Sequence, residues 1–165
     1  MDFKKIQPEN FSEIFDRVGK QWMLIGAGDV GEENAMTASW GCFGVLWNKP
    51  VCVCFIRPQR HTHKLTEKCE RLSLTFFNES YREMLKYFGT RTGADTDKIA
   101  DCGLEVLREK GVPYFAEAEV ALICRKLYVG KIEESGFIDK VLLENYPKRD
   151  YHTVYVCEIE SVLVK

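Results

Sequence analysis

The chain has 165 residues, of which 45% are hydrophobic and 29% are charged, and its formal net charge at pH 7 is −2. This length and composition predict a globular fold with a hydrophobic core and one domain, residues 1–165. The charge excludes the strongly basic surface of a nucleic-acid-binding protein. No run of the roughly 18 apolar residues needed for a membrane span occurs, so no membrane interaction is expected.

The seven cysteines indicate a reduced, cytoplasmic protein. Their number is odd, and the N-terminal sequence MDFKKIQPENF has no apolar run typical of a signal peptide. No two cysteines have C-x-x-C or zinc-ribbon spacing. Cys52 and Cys54 alternate with valines on a predicted strand, so we interpret them as small buried hydrophobic residues.

Alternating patterns in the first half of the chain predict a β-hairpin followed by a central strand. A short amphipathic piece, residues 11–18, precedes the hairpin. The hairpin has residues 21–27 and 34–41 as its strands and residues 28–33 as its turn. The most apolar segment of the chain, residues 51–56, is the predicted central strand.

The remaining elements are predicted to be mostly strands, with three helices. The helices are residues 62–69, 81–88 and 98–110, and the strands are residues 71–78, 115–125 with a continuation to 140, and 151–165. Most neighbouring strands are joined by turns too short for a helical crossover. The sequence therefore favours a mainly-β fold, an antiparallel barrel with a few short helices, over a parallel α/β sheet.

Residues 26–31 match the dinucleotide-binding pattern G-x-G-x-x-G and follow a predicted strand. The residues that come next have no helical apolar stripe and lead into another strand. Glu32 and Glu33 would also repel a diphosphate. We therefore interpret the glycines as part of a hairpin turn and not as a Rossmann fingerprint.

Ligand-type side chains are concentrated between residues 34 and 62. Thr37 and Ser39 are two apart, so on a strand they face the same side, where they could bind a flat heterocycle. An edge strand with solvated hydroxyls is the alternative. Arg57, Arg60 and Thr62 follow the central strand at the start of a predicted helix, which favours binding of a phosphate group over a solvated turn.

The three histidines leave several roles open. His61 and His63 lie two apart, but no third ligand is near them in sequence, so no metal site is predicted. His152, on the last predicted strand, could be a core, surface or pocket residue. No nucleophile, P-loop or metalloprotease motif occurs. If the protein is an enzyme, we expect a cofactor to carry the chemistry.

Three segments of the chain, taken together, resemble a known family. They are residues 34–41 (NAMTASWG), 44–50 (GVLWNKP) and 56–62 (IRPQRHT). The family is the flavin reductase-like, FMN-binding split barrel, and the resemblance is closest to its flavoredoxin-like branch.

Two further segments extend the resemblance over roughly residues 20–165. Residues 89–98 (GTRTGADTDK) are similar to the branch's G-x-x-S-G-x-D-x-D-K loop, with Thr92 in place of the usual Ser. Phe88 stands where a Cys is common. Residues 152–159 (HTVYVCEI) are similar to the family strand H-x-x-x-x-G-E-I/V, with Cys157 in place of Gly.

The resemblance implies a six-stranded antiparallel Greek-key split β-barrel that binds FMN noncovalently near a homodimer interface. It implies that residues 37–40 hold the isoalloxazine ring, that Arg57, Arg60 and Thr62 hold the phosphate, and that His152 lies near the reactive face of the ring as the catalytic residue. The full set of cofactor-binding residues predicted in this way is Asn34, Met36, Thr37, Ala38, Ser39, Trp40, Ile56, Arg57, Arg60, His61, Thr62 and Asn78.

The function implied is that of an oxidoreductase, a flavin reductase or flavoredoxin that moves electrons from NAD(P)H or a protein donor through bound FMN. A non-enzymatic FMN-binding electron carrier or flavin-storage protein is the first alternative. A haem- or pyridoxal-phosphate-binding relative is a weaker one, because Trp40 beside Thr37 and Ser39 suits a tricyclic ring better. The electron donor and acceptor stay open.

Overall fold

The computed structural model describes residues 2–165, and β-strands account for most of its regular structure. The strands are β1 (Lys4–Ile6), β2 (Met23–Ala27), β3 (Asn34–Ala38), β4 (Gly41–Leu46), β5 (Lys49–Ile56), β6 (Arg71–Phe76), β7 (Val106–Glu109), β8 (Val112–Phe115), β9 (Val120–Lys131) and β10 (Thr153–Val164). The α-helices are α1 (Ile14–Asp16), α2 (His61–Lys68), α3 (Arg82–Thr90) and α4 (Lys98–Asp101).

Eight strands form one antiparallel sheet, in the order β3-β2-β6-β9-β10-β5-β4, with β1 paired to the end of β10. Strands β7 and β8 form a separate hairpin. Within residues 2–165 no pairing joins β3 to β4, so the sheet does not close on itself. The prediction of a mainly-β antiparallel fold with a few short helices is confirmed, but the structure has ten strands instead of six.

The predicted hairpin is confirmed, because β2 pairs with β3 in antiparallel register from Met23–Ala38 to Ala27–Asn34. The glycine-rich segment between them is a turn and leads into a strand, as expected. Its Gly28 and Gly31 have φ angles of 116° and 84°, in the left-handed region that glycine adopts without strain.

The predicted helix over residues 98–110 is wrong. Helix α4 ends at Asp101, and Gly103 follows with a φ angle of 63°. Beyond it β7 pairs with β8 across Lys110 and Gly111, which both have positive φ angles, as a two-residue hairpin turn requires. Gly111, which directly follows the predicted helix, therefore belongs to a hairpin turn.

Two hydrophobic clusters lie on opposite sides of β2. Met23, Ile25 and Ala27 join the larger cluster inside the main sheet, whereas Leu24 packs with residues of α3 and α4 in the second. Strand β2 is therefore apolar throughout. The larger cluster also contains Cys52, Cys54, Cys124 and Cys157, which confirms the interpretation of Cys52 and Cys54 as buried hydrophobic residues.

All seven cysteines are free thiols in the structure. Cys52 Sγ lies 3.6 Å from Cys124 Sγ in the larger cluster. None of the helices within residues 2–165 has the length and apolar character needed to cross a membrane.

Candidate functional site

The N-terminal end of α2 meets the start of β3 through a buried polar contact. Asn34 Nδ2 donates a hydrogen bond of 2.8 Å to Thr62 Oγ1, and both side chains are buried. The helix thereby holds its first turn against the hairpin. The structure thus brings together two predicted site residues that lie 28 positions apart in sequence.

Arg60 lies directly before α2, and its guanidinium group reaches the last turn of α3. Its two terminal nitrogens donate hydrogen bonds to the carbonyl oxygens of Gly89, at 2.7 Å, and Phe88, at 2.8 Å. These carbonyls carry the partial negative charge of the helix C-terminus, which favours a cation there. Burial lowers the pKa of Arg60.

Lys98 is a second cation at the same place, and it is only 2% exposed. Its Nζ donates to Ala35 O at 2.7 Å and contacts Phe88 O at 3.4 Å, the oxygen that also accepts from Arg60. Burial, and then the nearby charge of Arg60, lower the pKa of Lys98 to about 8. The predicted set of binding residues omits Lys98; its only sequence signal is the end of the D-x-D-K segment.

Neither of these two cations has a carboxylate partner within 4.0 Å among residues 2–165. Buried charges are ordinarily paired, and helix carbonyls compensate two cations only in part. The end of α3 beside the start of α2 is therefore a partly buried region of uncompensated positive charge. Such a region suits an anionic ligand group.

Arg57 differs from Arg60, because its charge is already compensated. One terminal nitrogen lies 2.7 Å from Asp150 Oδ2, and the other donates to Asn145 O at 2.8 Å. The guanidinium carbon lies 5.0 Å from the centre of the Tyr146 ring. Arg57 is thus engaged with residues 145–150, which limits its availability to a phosphate group.

Thr37 on β3 and Ser39, which directly follows β3, differ in their hydrogen bonding. Thr37 Oγ1 donates to Leu85 O of α3 at 2.5 Å, so its side chain ties the strand to the helix. Ser39 is half-buried and makes no side-chain hydrogen bond within residues 2–165. Trp40, which follows it, is 46% exposed. Ser39 and Trp40 are the side chains of this stretch that remain free for a ligand.

Three predicted site residues point into the core. Met36 and Ile56 are buried members of the larger hydrophobic cluster, and Ala38 packs against it. Their side chains therefore stabilise the sheet. Only their backbone groups could contact a ligand.

His152 lies just before β10 and is 6% exposed. Its ring centre lies 5.4 Å from that of Trp40, and its Nδ1 lies 2.8 Å from Tyr146 Oη. Burial, and then the charge of Arg57, lower the pKa of His152 to about 4, so the imidazole is neutral at pH 7. The predicted ring-binding Trp40 and the predicted catalytic histidine are thus neighbours.

A cleft of about 720 Å³ opens beside the start of α2. Asn34 and His61 line it, together with exposed lysines of α2 and the loop of residues 93–97. Gly93 lies so close to Asn34 that an added Cβ would come within 2.6 Å of Asn34 Cγ. The absence of a side chain at Gly93 therefore allows the loop between α3 and α4 to pack against Asn34 where Asn34 binds Thr62.

His61 and His63 do not converge. His63 is buried, with Nε2 2.9 Å from Thr153 Oγ1, whereas His61 faces the cleft. Within residues 2–165 no three histidine, cysteine, aspartate or glutamate side chains are grouped so as to hold a metal ion.

The structure does not bring Asn78 together with the other predicted site residues. Asn78 is exposed, and its Oδ1 accepts from Ser80 N at 3.0 Å. It lines a separate cleft with Arg17, Tyr81 and Glu117. Asn78 follows β6, as the predicted strand over residues 71–78 implies. This end of the strand, however, borders the second cleft and not the cleft beside α2.

A sequence profile described as "Flavin reductase like domain" matches residues 15–165. The fold is similar to an FMN-binding protein from Thermus thermophilus with bound p-hydroxybenzaldehyde, with TM-score 0.68, 23% identity, and coverage of 87% of this chain and 71% of that one. It is also similar to flavoredoxin of Desulfovibrio vulgaris (Miyazaki F), with TM-score 0.69, 21% identity, and coverage of 87% and 69%.

A third similar structure is the flavoredoxin from Methanosarcina acetivorans, with TM-score 0.68, 20% identity, and coverage of 88% of this chain and 68% of that one. No curated protein sequence matches the chain. The family profile spans most of the chain, and the fold agrees with it. The chain therefore belongs to the flavin reductase like domain family.

Proposed function

We propose that the chain binds FMN noncovalently and acts as an oxidoreductase of the flavin reductase or flavoredoxin type, with NAD(P)H or a protein as the electron donor. The observation that carries this proposal is the pair of cations, Arg60 and Lys98, that share Phe88 O without a carboxylate partner. A ligand phosphate is the group that this charge suits. The family of the chain and the names of its structural relatives support flavin as that ligand.

The residues present fit the two ends of FMN. Arg60 uses two of its five N–H donors on carbonyls, so others remain for a phosphate oxygen, and the start of α2 adds a helix N-terminus. Trp40 and Ser39 offer an exposed indole and an unpaired hydroxyl for the ring. Asn34, Thr62 and Gly93 fix the relative positions of β3, α2 and the loop.

Bound FMN would supply the electron-transfer chemistry, so no protein nucleophile is needed. The part left to this chain is to orient the ring and to hold hydrogen bonds near it. His152, neutral and next to Trp40, can offer a ring N–H there without adding a charge. We assign His152 this role in catalysis.

We further propose that the chain is one domain, that its main sheet corresponds to the Greek-key split barrel of the family, and that it works as a homodimer in the cytoplasm. The dimer proposal is supported by an apolar outer face on four neighbouring strands. Cys42, Val53, Val156 and Tyr128 are cross-strand partners there. Cys42 is exposed and Tyr128 is 55% exposed, whereas Val156 between them is 8% exposed.

The decisive experiment uses the purified protein with FMN. Its visible spectrum is recorded, and NADH or NADPH is then added without oxygen. Yellow colour that bleaches supports a reductase. Yellow colour that persists supports a non-enzymatic carrier or a flavin store that receives electrons from a protein partner. A colourless protein that takes up no added flavin overturns the proposal.

A further inference from the structure

The segment between β9 and β10 places a buried tyrosine on the catalytic histidine. Tyr146 is 7% exposed, and its Oη lies 2.8 Å from His152 Nδ1. The two rings meet edge to face, with centres 5.4 Å apart and planes at 82°. The two residues are only six positions apart in sequence, yet no sequence pattern indicates a role for Tyr146.

The chemistry of the pair sets the direction of the hydrogen bond. Tyr146 Oη has no other hydrogen-bond partner within residues 2–165, and a buried phenol proton without an acceptor is unfavourable. The hydroxyl therefore donates, and His152 Nδ1 accepts. A neutral imidazole that accepts at Nδ1 carries its proton on Nε2.

The Nε2 atom is free for a ligand. It makes no side-chain hydrogen bond within residues 2–165, whereas Nδ1 is held by Tyr146. The neighbouring Trp40 is 46% exposed, so the His152 ring lies next to an open part of the surface. The N–H that Tyr146 fixes on His152 is thus the one that remains available.

Arg57 contacts the face of the Tyr146 ring, whereas His152 meets that ring edge to face. Its guanidinium group lies over the Tyr146 ring while it binds Asn145 O and Asp150 on either side of that tyrosine in sequence. Gln59 Nε2 donates to the same Asp150 oxygen at 2.6 Å. The end of β5 therefore anchors residues 145–150, and Arg57, Tyr146 and His152 form one chain of contacts.

We infer that Tyr146 is a positioning residue, which fixes the tautomer and orientation of His152, and that Arg57 anchors Tyr146 from the end of β5. This inference rests on the proposed function, because the orientation of His152 matters to catalysis only if the imidazole faces bound flavin. It also gives Arg57 a role different from the phosphate binding that the sequence resemblance implies.

The test begins with the flavin-free protein at pH 7. Long-range proton–nitrogen NMR spectra show which nitrogen of each histidine carries the proton, and the loss of one signal set in His152→Asn identifies His152. We expect His152 to be the Nε2–H tautomer alone in the unmodified protein and a mixture of both tautomers in Tyr146→Phe. Tyr151→Phe is the matched control, because its hydroxyl donates to Glu134 instead.

Arg57→Lys is a second variant. It keeps the positive charge, but a lysine cannot bind Asn145 O and Asp150 at the same time in the way that the two terminal nitrogens of Arg57 do. We expect it to shift the His152 signals in the same direction as Tyr146→Phe. An unchanged His152 spectrum in a folded Tyr146→Phe protein, judged by circular dichroism, would overturn the inference.

The catalytic part of the test measures FMN reduction by NAD(P)H per bound flavin. We expect a several-fold slower rate in Tyr146→Phe, with the FMN affinity and the melting temperature unchanged, and no change in Tyr151→Phe. A mixed tautomer with an unchanged rate would overturn the positioning role. If the unmodified protein binds no FMN, the proposed function fails, while the NMR spectra still decide whether Tyr146 fixes His152.

Discussion

Arg57 and Arg60 lie three positions apart in one loop, and their surroundings give them different roles. Arg57 is paired with Asp150, so a phosphate would have to compete with a carboxylate at 2.7 Å. Among residues 2–165, the hydrogen bonds of Arg60 go only to carbonyl oxygens, which compensate its charge weakly. Of the two arginines, Arg60 is therefore the one that gains more from an added anion.

We expect Arg60→Ala to weaken FMN binding about ten- to hundredfold, because a hydrogen bond to a charged group contributes about 1.5–3 kcal/mol. Riboflavin, which lacks the phosphate, should bind the variant and the unmodified protein equally. Titrations followed by flavin fluorescence measure both affinities. Arg82→Ala, which removes an arginine held by Glu79, is the control.

An equal loss of riboflavin and FMN affinity in Arg60→Ala would contradict this reasoning. Arg60 would then act by holding the end of α3 in place, and the phosphate would have to be bound elsewhere.

His152 should make the protein sensitive to acid. Its folded-state pKa of about 4 lies below the value of about 6.5 in an unfolded chain. Between these values the unfolded state binds a proton that the folded state does not. The contribution of the neutral His152 to the free energy of unfolding is therefore complete above pH 6.5 and is lost as the pH falls toward 4. The loss amounts to at most about 1.4 kcal/mol per pH unit.

We expect the free energy of unfolding to fall less steeply between pH 6.5 and 4 in His152→Asn than in the unmodified protein. Urea denaturation at several pH values measures these slopes. His61→Asn, at a half-exposed histidine, should follow the unmodified protein. Equal slopes for all three proteins would show that His152 is charged in the folded state or is not buried.

At the scale of elements, local sequence patterns predicted several strands correctly. They failed over residues 98–110, where a helix and a β-hairpin are both compatible with the local pattern. Alternation marked the hairpin of β2 and β3, the central strand β5 and the last strand β10. Residues 98–110 contain a true helix start at Lys98, but the helix stops after one turn because Gly103 takes a left-handed conformation. The pairing that converts residues 106–115 into a hairpin depends on Lys110 and Gly111 together.

In the candidate site too, the sequence predicted some of the residues that come together, but not the tertiary contacts that set their charge. The sequence placed Asn34 and Thr62 in one site, and the structure joins them by a hydrogen bond. Sequence patterns could not show that Asp150 neutralises Arg57, since the two residues lie 93 positions apart and only the sheet brings them together. The same holds for Lys98, whose burial against Ala35 O is a tertiary contact.

The loop between α3 and α4 offers a direct test of how closely the elements around the site pack. A methyl group on Gly93 would overlap the Asn34 side chain, which donates to Thr62. We expect Gly93→Ala to lower the melting temperature and to weaken FMN binding, because β3, the loop and α2 can no longer keep their positions. Differential scanning calorimetry and flavin titration measure the two effects.

Gly136→Ala is the matched control for this loop, because an added Cβ at Gly136 has no atom within 4 Å. That variant should melt and bind FMN as the unmodified protein does. If Gly93→Ala also leaves both properties unchanged, the loop moves freely with respect to Asn34, and its resemblance to the family motif has no structural role here.

At the scale of the whole molecule, the outer face of the sheet is covered only in part by its own chain: Cys42 and Tyr128 are exposed, whereas Val156 is 8% exposed. Cys42, Val53, Val156 and Tyr128 form one row across β4, β5, β10 and β9, and side chains of cross-strand partners point to the same side. Trp40 lies on the connection that leads into β4, so this face adjoins the proposed flavin site. A stable dimer of standard size covers about 800 Å² of each partner, an area that four strands can supply.

We therefore expect a homodimer at micromolar concentration and a monomer in Tyr128→Arg, because an arginine within an apolar interface leaves a buried charge without a partner. Phe15→Arg is the matched control: Phe15 is also an exposed aromatic residue, but it lies in α1, outside this row of four strands. Sedimentation velocity measures the oligomeric state, and flavin titration measures FMN affinity in the same samples. Since Trp40 is next to this face, FMN should bind the Tyr128→Arg monomer more weakly. An unmodified protein that is monomeric with FMN bound would show that the outer face serves another purpose and that one chain completes the site by itself.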